Sequence, residues 1–245
     1  MPSMEADVAY ALVRAASRLV STPVEVQDLG LIPYQQALDL QTQLVTKRKQ
    51  SEIADQFLIL EHPHVITMGR NGHDENLLAA PDLLARAGIE FHHTNRGGDV
   101  TYHGPGQIIG YPIVDLREWK RDVVAYVRAI EEVIIQAIAE FGITGKRVAG
   151  ATGVWVDTPE GSAKVAAIGV HISRWVTSHG FALNLDPDLS YYRYIVPCGL
   201  TRPVTSLRAL GSMARREEVV EALTKSFARV FDREICRTRV QMENL

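Results

Sequence analysis

The chain has 245 residues, of which 46% are hydrophobic and 22% charged, and a formal net charge of −3. A chain of this length buries most of its unfolded surface without staples, and its charge gives no electrostatic footprint for nucleic acid. Its only two cysteines, Cys198 and Cys236, lack C-x-x-C spacing, which argues against a disulfide framework or zinc ribbon and for a reducing compartment.

No run of 18 apolar residues is present, so no membrane span is expected. The first residues are acidic and lack a basic segment followed by an apolar one, so no secretory signal is read and the cytoplasm is the expected location. Residues 4–19 read as an amphipathic helix outside the main fold. Strand patterning starts at Val24–Leu29, and Pro33 opens a helix running to about Lys49, since a first-turn proline loses no hydrogen bond. Residues 57–60 and 65–68 read as strands around His62-Pro63-His64. A short helix follows over 81–87, ended by Gly88, then a strand over 89–92 and another over 107–114.

The longest helix is expected over 119–141, where Val123, Val127, Ile130, Ile134, Ala137, Ile138 and Phe141 repeat at three- and four-residue intervals and Gly142 supplies the stop. Beyond it, 153–156, 165–172 and 177–185 are β-rich, and 217–231 closes the chain as an amphipathic helix. Runs of strands mixed with a few helices imply an α/β fold of the α+β kind: one domain, with a mixed β-sheet flanked by helices. The expected division is an N-terminal extension over 1–21, a catalytic domain over 22–235 and a C-terminal tail over 236–245.

Three stretches carry candidate chemistry. Cys198 stands between Pro197 and Gly199, a turn context in which a thiol can be held at a cleft. Buried free cysteine is the commoner state of such a residue, and it is the reading adopted for Cys236. A nucleophilic thiol needs a base or a neighbouring positive charge. Lys164, which opens the apolar run Val165-Ala166-Ala167-Ile168-Gly169-Val170, is the candidate partner, because partial burial favours the neutral amine; a solvated lysine at a strand end is the plain alternative.

Arg96-Gly97-Gly98-Asp99-Val100-Thr101-Tyr102-His103-Gly104-Pro105-Gly106-Gln107 holds four glycines, which let backbone approach a ligand closely. It matches neither a P-loop nor a dinucleotide fingerprint. The pairs His62/His64 and His92/His93 lack a Cys, Asp or Glu at ligand spacing, so no metal is assigned.

Together with Trp175-Val176-Thr177-Ser178-His179-Gly180-Phe181-Ala182-Leu183-Asn184 and Pro197-Cys198-Gly199, these stretches resemble the lipoyl(octanoyl) transferase family over about Val24 to Phe231. His171 stands where the family pattern suggests arginine. The resemblance implies a fold shared with lipoate and biotin protein ligases, and an octanoyl group moved from acyl carrier protein to a lysine of a lipoyl domain. It implies that Cys198 and Lys164 meet as the catalytic pair. It implies a substrate pocket lined by Arg96, Gly97, Gly98, Asp99, Val100, Thr101, Tyr102 and His103, by Ala167, Ile168 and Gly169, and by Gly180, Phe181 and Ala182.

No cofactor is implied, the acyl donor being carried on the carrier's phosphopantetheine arm. The implied acceptors are lipoyl domains of 2-oxoacid dehydrogenase complexes and the glycine cleavage H protein, with no nucleic acid or membrane partner and a monomeric state. Arg193, Arg202 and Arg208, which flank Cys198 in sequence, and Arg174 are the expected docking cations for an acidic carrier. An ATP-dependent ligase and a non-catalytic acyl-binding protein are the competing readings.

Overall fold

The structure, a computed structural model, describes residues 23–196 and 203–237. The expected helix over 4–19 and Cys198 itself therefore lie outside the described residues.

Eleven strands are described: β1 (Val24–Leu31), β2 (Asp55–Glu61), β3 (Val65–Met68), β4 (Glu90–His93), β5 (Val100–His103), β6 (Gln107–Ile113), β7 (Lys146–Val148), β8 (Ala151–Thr158), β9 (Gly161–Ser173), β10 (Val176–Asn184) and β11 (Ile235–Arg237). Four α-helices accompany them: α1 (Tyr34–Lys49), α2 (Pro81–Arg86), α3 (Val123–Ala139) and α4 (Arg216–Phe231). Eight strands form one mixed sheet in the order β11-β1-β2-β6-β10-β9-β8-β7, parallel only from β11 to β2. The other three form a small sheet in the order β4-β3-β5.

The central strands are covered on both faces, which explains their unbroken apolar runs. In β2, Phe57 and Ile59 point to α3 and α4, while Leu58 and Leu60 point to α1. Helix α3 presents Ile130, Val133, Ile134, Ala137 and Ile138 to the first of these cores, and α4 adds Val219, Leu223, Phe227 and Phe231. Helix α1 closes the other with Ala37, Leu40 and Leu44.

Helix α3 begins at Val123, the first residue of its apolar repeat, four residues after the expected start at 119. Asp122 caps it by accepting from the Ala125 N–H at 2.9 Å, and Trp119 lies before that cap, packed 4.9 Å from the Phe231 ring. At the C-terminal end, Cys236 sits in β11 opposite Glu25 and is exposed, not buried as expected. The sheet thus takes in residues 236 and 237, which sequence patterning had left in the tail. Among the described residues no helix is long and apolar enough to cross a membrane.

Candidate active site

A cavity of about 670 Å³ opens between the large sheet and the small one, a size usual for small-molecule sites. Ala167, Ile168 and Gly169 of β9 and Gly180, Phe181 and Ala182 of β10 border it. They pair directly across the two strands, Ala167 with Ala182 and Gly169 with Gly180. At Gly169 the lack of a side chain is a packing requirement. A methyl group on Gly169 would stand 2.9 Å from the Gly97 carbonyl and 3.1 Å from Cδ of Arg96, so the glycine loop could not close onto β9.

That closure is a hydrogen bond from the Gly97 N–H to the Val170 carbonyl at 2.8 Å. Arg96 beside it is 7% exposed, and its guanidinium donates to the Thr67 carbonyl and hydroxyl and to the Gly97 carbonyl. Asp99 accepts from the Val100 N–H, the His73 N–H and the Asn76 amide, and so ties residues 73–76 to the cavity wall.

Residues 100–103, inside the glycine-rich stretch, are strand β5, and the alternation of a strand divides them. Thr101 and His103 line the cavity, whereas Val100 and Tyr102 point into the apolar cluster of the small sheet, with the Tyr102 hydroxyl on His64 at 2.8 Å. Gly97 contributes the bond to Val170, and Arg96, Gly98 and Asp99 border the cavity.

Lys164 stands at the far end of the same wall, half-buried. It lies inside β9 and does not open it, since the strand starts at Gly161. Its Nζ is 4.8 Å from the centroid of the Trp155 ring. Its backbone N–H donates to the Pro203 carbonyl and its carbonyl accepts from the Thr205 N–H, both at 2.9 Å. On the other side of the undescribed segment, the Val196 N–H donates to the carbonyl of Asn76, itself a wall residue, at 2.8 Å.

Several residues of the site escaped the sequence reading. Gln107 donates to the Asn184 side-chain oxygen at 2.9 Å, and Asn184 donates in turn to the Thr205 carbonyl at 2.9 Å. This links the glycine-rich stretch, β10 and the Lys164 segment through buried amides; both residues close quoted motifs, which was the available signal. Tyr34, Tyr111 and His179 also contribute to the polar part of the cavity. Tyr111 donates to Nε2 of His62 at 2.9 Å, because Nδ1 of His62 must carry the proton it gives the Ile32 carbonyl.

Three histidines here, His62, His103 and His179, are held towards the neutral form. Burial lowers His62 to about 4, and burial with the Arg96 charge lowers His179 to about 3. Burial, then His62 and Arg96, hold His103 well below the ordinary range. A histidine that resists protonation when folded makes the unfolded chain the better proton acceptor, so stability rises with pH through that interval. We therefore expect thermal stability to fall as pH drops from about 6.5 towards 4, by at most about 1.4 kcal/mol per pH unit per histidine. His62→Asn should flatten the slope in a pH series of denaturant melts; an unchanged slope would assign the acid loss to other groups.

Of the expected docking cations, Arg208 pairs with Asp186 at 3.2 Å and Arg193 donates to the Tyr194 hydroxyl at 2.8 Å. Arg202 lies outside the described residues. Arg174 is in the exposed β9–β10 turn. His171 is half-buried, lowered by burial and by Arg70 and Lys49, so it does not replace the cation that an arginine would supply.

The lipoyl protein ligase A/B catalytic-domain family matches residues 33–228. A curated octanoyltransferase of Solibacter usitatus is 63% identical over 209 residues, covering 85% of this chain and 93% of that protein. One of Koribacter versatilis is 51% identical over 217 residues, 86% of each chain. Among solved structures, lipoate-protein ligase A bound with ATP superposes with a TM-score of 0.71 at 14% identity, over 91% of this chain and 90% of the other, a likeness of fold. The expected kinship of fold with lipoate ligases is thereby met.

Proposed function

The chain belongs to the lipoyl protein ligase A/B catalytic-domain family and, within it, to the octanoyltransferases, and from that premise we propose that octanoyl travels through a thioester on Cys198. The enzyme is an acyltransferase. In this reading the donor is an octanoyl thioester on the phosphopantetheine arm of acyl carrier protein. The acceptor is a lysine amine of a lipoyl domain, as in 2-oxoacid dehydrogenase complexes or the glycine cleavage H protein.

The Cys198 thiolate attacks the donor carbonyl, a carbon–sulfur bond to the enzyme forms, and the bond to the carrier breaks. The carrier leaves as a thiolate and takes a proton. The acceptor amine then attacks the enzyme thioester and gives up a proton as the amide forms. The Cys198 thiolate departs, ready for the next cycle. Thioester exchange is nearly balanced and amide formation runs downhill, so the donor's own activation suffices without ATP. Lys164 holds the thiolate by its charge in the first half, gives its proton to the departing carrier thiolate, and, neutral after that, accepts the amine's proton in the second.

The observation that supports this most is the anchoring of the chain around Cys198. Two residues before it, Val196 is bonded to Asn76; five residues after it, Pro203 is bonded to Lys164. Both anchors are cavity-wall residues, and the wall between them mixes polar groups with Ala167, Ile168, Phe181 and Ala182. An apolar chain and a polar thioester head can both be accommodated on such a surface.

Two reaction mixtures test the function. A lipoyl domain should gain octanoyl from octanoyl-acyl carrier protein without ATP, and none from octanoate with ATP and magnesium. The reverse pattern would make the chain an ATP-dependent ligase and remove the thioester route.

A further inference from the structure

Strands β8 and β9 do not pair regularly at the cavity. Val154 stands opposite Ala166, yet its neighbour Trp155 stands opposite Lys164, with the register shifting between them. Unbroken pairing would have set Trp155 against Val165. The extra residue is a β-bulge, a device that re-aims side chains and is frequent beside active sites. Here it brings an indole to Lys164, the one lysine that borders the cavity among the described residues.

The bulge is secured from below. Gly153 has φ +123°, and a methyl group there would stand 2.6 Å from the Ala166 carbonyl. Its N–H donates at 3.1 Å to Glu131, a fully buried carboxylate that also accepts from Arg128 and Arg147. Trp155 is 1% exposed, and its indole N–H donates at 2.9 Å to the carbonyl of Ala151, another wall residue. The ring is therefore fixed in orientation before any ligand arrives. A lysine side chain, by contrast, has four rotatable carbons and loses much freedom when ordered.

We propose that Trp155 is the positioning residue of Lys164: the bulge-set indole face holds the ammonium at the cavity wall, where it acts on Cys198. The ring quadrupole attracts a cation at the observed 4.8 Å, and the indole bond to Ala151 keeps that face turned to the lysine. This inference rests on the roles proposed for Lys164 and Cys198. Its own content is that the lysine's cationic action depends on the aromatic face beneath it.

The test reads alkylation of Cys198 by iodoacetamide across pH, in a Cys236→Ser background, because Cys236 is exposed and would also react. Trp155→Phe keeps an aromatic face and should stay within about twofold of the parent. Trp155→Leu should slow alkylation at pH 7 by about fivefold and move its pH midpoint upward. In a Lys164→Ala background the same Trp155→Leu change should have no further effect.

Should Trp155→Leu fail to give a cooperative melt, a shape-preserving series decides. With Trp119 and Trp175 replaced by phenylalanine, fluorinated tryptophans at position 155 should slow alkylation stepwise with fluorine content. An equal Trp155→Leu effect with and without Lys164, or a flat fluorination series, overturns the positioning role. If Lys164→Ala alone leaves alkylation unchanged, the Lys164–Cys198 reading falls and takes this one with it. A failure confined to Trp155 leaves that reading standing.

Discussion

Cys198→Ala should reduce octanoyl transfer by about three orders of magnitude or more while leaving the melting transition in place. The size of the effect follows from the chemistry. Without a thiol there is no covalent acceptor for the first half-reaction, and direct attack by a lysine amine on the carrier thioester lacks the placed nucleophile. Cys198→Ser is the sharper variant, since it keeps the shape of the side chain. A hydroxyl is far from ionised at neutral pH, where a thiol beside a cation is largely thiolate, so serine should form no acyl-enzyme on the time scale of turnover. The readout is transfer to a lipoyl domain followed by mass. Near-normal transfer by Cys198→Ala would remove the nucleophile from the scheme.

Lys164→Ala should lower turnover by about two orders of magnitude, because charge and proton acceptor are lost together. Lys164→Arg separates them. A guanidinium keeps its charge and also stacks on an indole face, so acylation of Cys198 should remain within about tenfold of the parent. It does not deprotonate near neutral pH, so release of the acyl group to the acceptor amine should stay as slow as in Lys164→Ala. Rapid-quench measurement of the two half-reactions resolves this. An arginine variant that turns over at the parent rate would show that charge alone suffices; one that neither acylates nor transfers would show that arginine does not fit the wall.

The buried elements were largely legible from the chain because their signals are local. Apolar residues at three- and four-residue intervals announced α3, and the strands over 57–60 and 65–68 stood on either side of His62-Pro63-His64. Strand β5 was hidden because its flanks, Gly97-Gly98 and Gly104-Pro105-Gly106, read as loop, and four residues offer only two alternations. The short edge strands β7 and β11 carry no such pattern; they exist through partners distant in sequence.

The candidate site divides in the same way. The glycines that permit close approach, Gly97 and Gly169, lay within quoted motifs. That Val100 and Tyr102 turn away from the cavity followed only once β5 was known to be a strand. Nothing local marked Trp155 as a neighbour of Lys164, because the pairing depends on a bulge, and a bulge is a property of two strands together. Gln107, Asn184 and Thr205 form their chain of amides only in the folded sheet.

The central claim, that octanoyl rests covalently on this chain between donor and acceptor, is tested most directly by intact-protein mass spectrometry. The enzyme is mixed with octanoyl-acyl carrier protein, with no ATP and no acceptor. The account predicts a gain of one octanoyl group, lost on treatment with hydroxylamine, absent from Cys198→Ala and discharged when a lipoyl domain is added. A chain that stays unmodified under these conditions, yet transfers octanoyl to the lipoyl domain when both partners are present, would contradict it.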